Sequence, residues 1–585
     1  MYIRATLTSS ALLLLAVAGA RLSVPRQNAH PLNQGPVSLC FAPGTELTPE
    51  LQAKMIAVNK AIAAYLEIDP DHPFDDRYKL NSRWSGAQGS PRSLTWSFVP
   101  DTTSITGAPN ISEPTSNSSL FATFDAKYTR ATWIARFQAC FDRWQQLSGI
   151  TFTRITTPGQ DWDDGAAWGS AGSSTRGDMR ISMHPIDGFN GILAYCYFPS
   201  SGDMVLDKND ATGNSNFFSS SNNNLFLRNV VTHEMGHGLG LNHVCPAIGT
   251  KLMEPFVNLG FDGPQHDDLR AIERHYGDIN EPDDTAATAT SSGALAASTS
   301  RTIGTVPTPS ISNSSVLSID ANSEVDYHSF SSSQIYLATI TLTPKGLTYD
   351  NSSQNSDGSC NSGSNFDSLS AADLMFDLRN SADGLVTTVN AAGAGSPEVL
   401  TGALLSPPGT WYIKVYENGS PIESQLYTLN ITSSAACSVT ASDNKMNAVT
   451  LAWTLVPGAT TYTIKRNVIP SEAGAVTIGS SPTNSYIDLA APDNKTSYYY
   501  VYATQFGTSR LVGTDSGFAR CTADMNNDNV VNDADFVFFL AAYNIFDCQA
   551  PGMPAGCPAD FNYDGLVDDA DFSLFVVAYD NLVCP

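Results

Sequence analysis

The stretch Thr232–His243, THEMGHGLGLNH, carries three histidines at a spacing that can gather a metal ion. His233 and His237 stand at i and i+4, which puts both imidazoles on one helical face, close enough to share an ion. Glu234 lies one residue along and projects beside that ion. His243 follows after Gly240. A helix that ends at Gly240 in a left-handed conformation turns the chain back and delivers His243 as a third ligand. Three protein ligands leave zinc a fourth position for water, which is the catalytic rather than the structural arrangement. Zinc-activated water is then the nucleophile, and Glu234 the general base that takes its proton and later hands it to the leaving amine. A lone His-Glu-x-x-His is often just a solvated helix face. The eleven-residue pattern that adds Gly240 and His243 is far more demanding, and the apolar LFLRNVV before it suits a buried helix. Gly costs a helix interior about 1 kcal/mol relative to Ala. Gly240 serves the turn and Gly236 a close approach, whereas Gly238 has no account at this level.

The elements that must position these residues run from Trp84 to Gly277, where strands and helices alternate. SLTWSFVP reads as a strand, ATWIARFQACFDRWQQLSG as an amphipathic helix, and ITFTRI as the β-branched strand after it. The zinc motif, with Met253 in TKLMEP, is similar to that of the metzincin endopeptidases, in which Met253 would be the packing methionine beneath the metal. Within them the chain resembles the matrixins from about Tyr78 to Gly277. GDMRISMH resembles their central strand, GILAYCYFP the cleft-lining segment, and QHDDLRAIERHYG the closing helix. The resemblance implies an α+β catalytic domain, assigned to residues 76–279, that hydrolyses peptide bonds in proteins. It also implies one zinc rather than two, because Tyr195 and Val205 stand where matrixins with a second, structural zinc carry histidines, leaving His184 isolated. Many matrixins are held latent by a cysteine in a Pro-Arg-Cys-Gly context. Cys40 in VSLCFAPGTEL lacks that context, so a structural disulfide is expected for it, with Cys140 one partner to consider and Cys196–Cys245 another pair. Sequence alone leaves the connectivity open.

The whole chain narrows the function class further. Its 585 residues exceed one hydrophobic core, and with 42% hydrophobic against 15% charged residues most of it is globular. A net charge of −26 argues against nucleic-acid or anionic-membrane partners and suits calcium. Residues 1–20 read as a signal peptide: Arg4, the apolar run Ala11–Val17, then Ala18-Gly19-Ala20. No later stretch approaches ~20 apolar residues, so a secreted protein without a transmembrane segment is expected, its ten cysteines in an oxidising setting.

Residues 21–75 form an N-terminal segment in which TPELQAKMIAVNKAIAAYLEI predicts a helix. Residues 280–300, rich in Ala, Ser and Thr without periodicity, read as a linker. Short alternating strands predict a β-sandwich over 301–435, and GTWYIKVYENGSPIESQLYTLNI resembles the bacterial pre-peptidase C-terminal domain. A second β-sandwich over 436–520, with Trp453 and a tyrosine-rich late strand, looks like a fibronectin type III module.

Residues 521–585 contain two copies of one unit, offset by 36, that carry Asp524 onto Asp560. Each reads as a twelve-residue calcium loop with ligands at EF-hand positions 1, 3, 5, 7, 9 and 12. These are Asp524, Asn526, Asp528, the Val530 carbonyl, Asn532 and Asp535, then Asp560, Asn562, Asp564, the Leu566 carbonyl, Asp568 and Asp571. Gly565 fills the sharp-turn position, and Asn529 replaces it in the first loop. Aspartate at position 12 and the helices that follow resemble dockerin modules, small α-helical units. The resemblance implies two calcium ions, two internal disulfides, and either a cohesin-like partner on a surface assembly or a calcium-stabilised cap. The expected function is a secreted zinc endopeptidase with accessory modules. Its rival is a non-catalytic surface scaffold assembled through the dockerin-like module, against which the intact His233, Glu234, His237 and His243 weigh.

Overall fold

The computed structural model describes residues 35–65, 80–305, 316–320 and 324–580, apart from positions 353, 356, 420–422, 444, 447, 522, 527, 529 and 563. The signal-peptide expectation at 1–20 and the reading of Asn529 lie outside the described residues.

In the N-terminal half the elements run β1 (Val37–Phe41), α1 (Pro49–Tyr65), β2 (Arg92–Phe98), β3 (Ser104–Ile105), β4 (Ser116–Asn117), α2 (Leu120–Asp125), α3 (Arg130–Gln146), β5 (Ile150–Arg154), β6 (Met179–His184), β7 (Ile192–Tyr197), β8 (Met204–Asp207), α4 (Leu225–Gly238) and α5 (His266–Tyr276). Six strands form one sheet in the order β1-β7-β8-β6-β2-β5. β8, β6, β2 and β5 run parallel, while β7 is antiparallel to β8, and β1 is antiparallel to β7. The helical period puts Trp133, Phe137, Cys140, Phe141 and Trp144 on the buried face of α3. There they meet the sheet, with Trp96 stacked on Phe141 at 4.1 Å between ring centres. α1 buries Leu51, Met55, Val58 and Ile62 in a second apolar cluster with Val37, Leu39 and Phe41 of β1 and Tyr195 and Tyr197 of β7. Residues 35–65 are therefore part of the six-stranded sheet and its cover rather than a separate N-terminal segment.

Two five-stranded sheets follow and share one apolar core that includes Phe330, Tyr336, Phe376, Trp411 and Tyr427. Residues 280–300 are not a linker. β9 (Thr290–Leu295) pairs in parallel with Asp326–Ser332, and Ser300–Ile303 pairs with Gln425–Ala436. β9 is an edge strand of small residues with only Leu295 buried, so it shows no apolar alternation in the sequence. Arg270 of α5, fully buried, donates to the Ser424 carbonyl through Nε (3.0 Å) and Nη2 (2.8 Å) and pairs with Glu423 at 3.2 Å. That contact seats the N-terminal half on these sheets. A three-stranded and a five-stranded sheet then share a core around Trp453, Tyr462 and Tyr499. The last described elements are α6 (Asp533–Tyr543) and α7 (Asp569–Asp580), joined by a small core that includes Phe539, Phe561 and Phe575. Among the described residues no helix is long and apolar enough to cross a membrane.

Candidate zinc site

α4 is buried along nearly its whole length, and the Trp144 indole donates to the Thr232 carbonyl at 3.0 Å from the facing helix α3. The helix ends at Gly238, and two residues on Gly240 has φ +99°. A Cβ at Gly240 would lie 2.2 Å from the Ser82 carbonyl oxygen, so both the backbone angle and the close approach require glycine. Gly236 gives way to the sulfur of Met253, which a Cβ would meet at 2.4 Å. Gly238 has its reason too, since a Cβ there would collide with Met179 and crowd Cys196.

The turn brings His233, His237 and His243 together. Their Nε2 atoms form a triangle with sides of 3.0, 3.2 and 3.3 Å. The Nδ1–H of His233 donates to the Leu252 carbonyl and that of His237 to the Leu241 carbonyl, each at 2.7 Å, which leaves both Nε2 lone pairs free. Burial drives all three imidazoles toward the neutral form: His233 falls to about 4, and His237 and His243 lie well below their usual value, lowered further by one another. Three unprotonated nitrogens converging on one point repel unless a cation sits among them. Their chemistry fits zinc. Glu234, fully buried beside them, has its carboxyl pushed well up by burial. Asp268 of α5 accepts from the Leu252 and Met253 amides at 2.9 and 3.1 Å, so the closing helix holds the turn that orients His233. No sequence pattern marked Asp268.

Cys40 departs from expectation. It is a free thiol, as are Cys140 and Cys196, and so the disulfides suggested for them do not form. Cys245 bonds Cys360 instead and ties the segment after His243 to the following β-domain. The physical reason is β1: its pairing with β7 points Cys40 inward, where its sulfur, a His233 nitrogen and a Glu234 oxygen lie within 4.8 Å of one another. The other side of β1 meets the segment Pro255–Val257, through Phe41 N to Pro255 O and Val257 N to Phe41 O, both 3.0 Å. An extended strand thus lies between β7 and the segment Pro255–Val257, against His233 and Glu234. The neighbours of His184 include Glu113, 3.4 Å from its Nε2, and Ser116, 3.1 Å from its Nδ1, while Tyr195 donates to Glu113.

In the C-terminal repeats the two loops are near copies. Asp528 N bonds Asp524 and Asn526, Val530 N bonds Asp528, and Asp535 accepts from the Asn526 and Asn532 amides. Asp560, Asn562, Asp564, Leu566, Asp568 and Asp571 repeat each bond. Gly565 has φ +91°. Cys548 bonds Cys557, and Cys521 is also in a disulfide.

A three-histidine centre with a carboxylate on the same helix, over a packed methionine, is the arrangement of a zinc metallopeptidase. Residues 118–277 match the family model described as Matrixin. Matrix metalloproteinase-16 of Homo sapiens is 33% identical over 146 residues, 23% of this chain and 22% of that protein. Matrix metalloproteinase-18 of Xenopus laevis is 34% identical over 152 residues (25% and 29%), and interstitial collagenase of Equus caballus 32% over 148 residues (25% and 28%). The chain therefore spans less than a third of the length of these relatives. Together the matches support a matrixin catalytic domain of metzincin type, a zinc metalloprotease, in a larger multidomain chain.

Proposed function

We propose that the chain is a secreted zinc-dependent endopeptidase that cuts proteins, with Glu234 as general base. The observation that carries this reading is the triangle of three neutral imidazoles with Glu234 one residue from the first. Zinc held by His233, His237 and His243 would polarise the scissile carbonyl and acidify water. The chain's own residues do the rest. Glu234, ionised beside the bound cation, accepts the proton of the attacking water and returns it to the leaving amine. The outer edge of β7 can pair with an extended peptide by strand addition. In the described chain β1 occupies that edge, with Cys40 against Glu234, so β1 has to leave before a substrate enters. Glu234→Gln, assayed on casein with zinc content measured in parallel, should keep the metal and lose hydrolysis; near-wild-type turnover would end the assignment. A wild-type chain freed of β1, loaded with zinc and inert on every protein offered, would favour the scaffold reading.

The remaining assignments belong to the same proposal. The β-rich regions act as pre-peptidase C-terminal-like and fibronectin type III-like accessory domains. The repeats act as a dockerin-like module holding two calcium ions, with either a cohesin-like partner or a capping role. Support for calcium comes from the duplication of the loop and from its hydrogen-bond net, in which the carboxylates at positions 1 and 12 accept from the same backbone amides in both copies.

A further inference from the structure

Two of the three imidazoles are aimed from within the N-terminal half, by the Leu252 and Leu241 carbonyls. The partner of the third comes from another domain. The Nε2 of His243 belongs to the triangle, which leaves Nδ1 as the nitrogen turned away from it. The side chain that meets His243 there is Gln354, in a contact that strengthens the imidazole's hold on its proton, as an accepting amide oxygen does.

Gln354 lies in the loop 352–363 of the first β-domain, between the antiparallel strands Thr348–Asn351 and Ser364–Asp367. That loop is tied to the segment after His243 at three points. Ser352 N donates to the Cys245 carbonyl at 2.9 Å, Cys360 bonds Cys245, and Gly363 packs so closely on Pro246 that a Cβ would lie 3.0 Å from its ring. Gly358, at φ +84°, rests on α1, where a Cβ would meet Met55 at 2.6 Å. Inside the loop, Asn355 N bonds Ser359 O at 2.8 Å and Gly358 N bonds Asn355 O at 2.9 Å. This tight turn presents the Gly358 carbonyl to Gln354, whose Nε2 donates to it at 3.1 Å. The amide nitrogen is thereby committed to the loop, and the amide oxygen is the end left for His243. An oxygen accepting from Nδ1–H fixes the proton on that nitrogen and keeps the Nε2 lone pair on the metal side, as the two carbonyls do for His233 and His237.

We infer that Gln354, reaching across from the first β-domain, is the positioning residue of the third zinc ligand, so that the metal centre is completed by a second domain. The inference rests on the zinc-endopeptidase reading of the same site, and the two can fail separately. Full-length wild type, Gln354→Leu and Gln354→Glu are freed of metal and titrated with zinc against a competing chelator, and the melting of each metal-free protein is recorded. Leucine fills the place of the side chain without an acceptor. Glutamate keeps an accepting oxygen and gives the carboxylate–histidine–zinc arrangement. Gln354→Leu should bind zinc about 10–100-fold more weakly, the usual loss when such an outer partner is removed, and Gln354→Glu should restore at least wild-type affinity. Both variants lose the bond to the Gly358 carbonyl, so a merely structural role for Gln354 would weaken both alike. Zinc affinity unchanged in Gln354→Leu, or equally poor in Gln354→Glu, overturns the inference while leaving the endopeptidase reading intact. Wild type that takes up no zinc would end that reading and the inference with it.

Discussion

Two buried clusters of titratable side chains in this molecule pose opposite electrostatic problems. The histidine centre gathers neutral donors that burial keeps neutral, and carbonyl partners aim two of them. Without its ion it holds converging lone pairs but no net charge, a smaller cost than buried ions would carry. The carboxylate junction, where Asp278, Glu281 and Asp283 meet Asp320, Glu324 and Asp326, gathers groups that are anionic in water, and neither carboxylate oxygen of Asp320 has a donor among the described residues. Without an ion it must either take up protons or open. The contrast separates chemistry from cohesion. Damage at the first should remove activity and spare the fold, whereas damage at the second should loosen the fold and spare the reaction.

The largest expected effect lies on the histidine side. Glu234→Gln should lower kcat/KM by about 10²–10⁴-fold, the usual contribution of a general base, with Tm and zinc content near wild type. A variant that lost stability as steeply as activity would erase the distinction between the clusters. Next comes the Cys245–Cys360 bond, which closes a loop of sequence separation 115 across the domain boundary. Replacing both cysteines with serine should cost roughly 2–5 kcal/mol in chemical denaturation while zinc stays bound. Zinc loss in that double variant would mean that the bond itself, beyond the Gln354 contact, holds His243. A smaller effect is expected from cutting the exposed turn at Pro43–Gly44 to free β1. Even about 1.4 kcal/mol of net docking by that strand hides the cleft tenfold, so casein cleavage should rise by at least about that factor. Unchanged turnover after β1 has left would show that it does not block the cleft.

The two clusters also differ in how far the sequence disclosed them. All three histidines, Glu234 and Gly240 sit within eleven residues, so helical spacing and one glycine suffice to find them. The C-terminal repeat was legible for a similar reason, because an offset of 36 carries each loop position of the first copy onto the second. Asp278–Asp283 and Asp320–Asp326 become neighbours through contacts distant in sequence, the parallel pairing of β9 with Asp326–Ser332 and the bonds from Ser318 N to Asp278 and from Tyr327 N to the Asp283 carbonyl. β9 itself carries small residues with no apolar alternation, and so the region was read as a linker. Cys40 was misjudged on similar grounds. Its partner set is fixed by which strand β1 adds to, and no spacing along the chain records that register.

The finest test of the contrast is its pH dependence. Glu281 is pushed up to about 9, first by burial and then by Glu324, Asp278 and Asp284. Asp283 rises to about 8 through burial, Asp278 and Glu281. The nearby cations Arg274 and Arg83 do not reverse these shifts. In calcium-free protein such groups stay protonated in the fold at pH values where the unfolded chain, ionising near 4, has released its protons. The unfolded state then binds fewer protons, so stability falls as pH rises from about 4 to about 9. Calcium inverts the sign, because it binds the ionised carboxylates and competes with protons for them. Zinc-loaded, calcium-free wild type should therefore lose Tm relative to Glu281→Gln between pH 5 and 9, and saturating calcium should restore the wild type and leave the variant unmoved. The imidazoles cannot mimic this pattern, since their pKa values are lowered rather than raised and zinc occupies them in both proteins. Parallel melting curves with and without calcium would reduce the junction to a set of protonated acids, and the difference between the two clusters to one of burial alone.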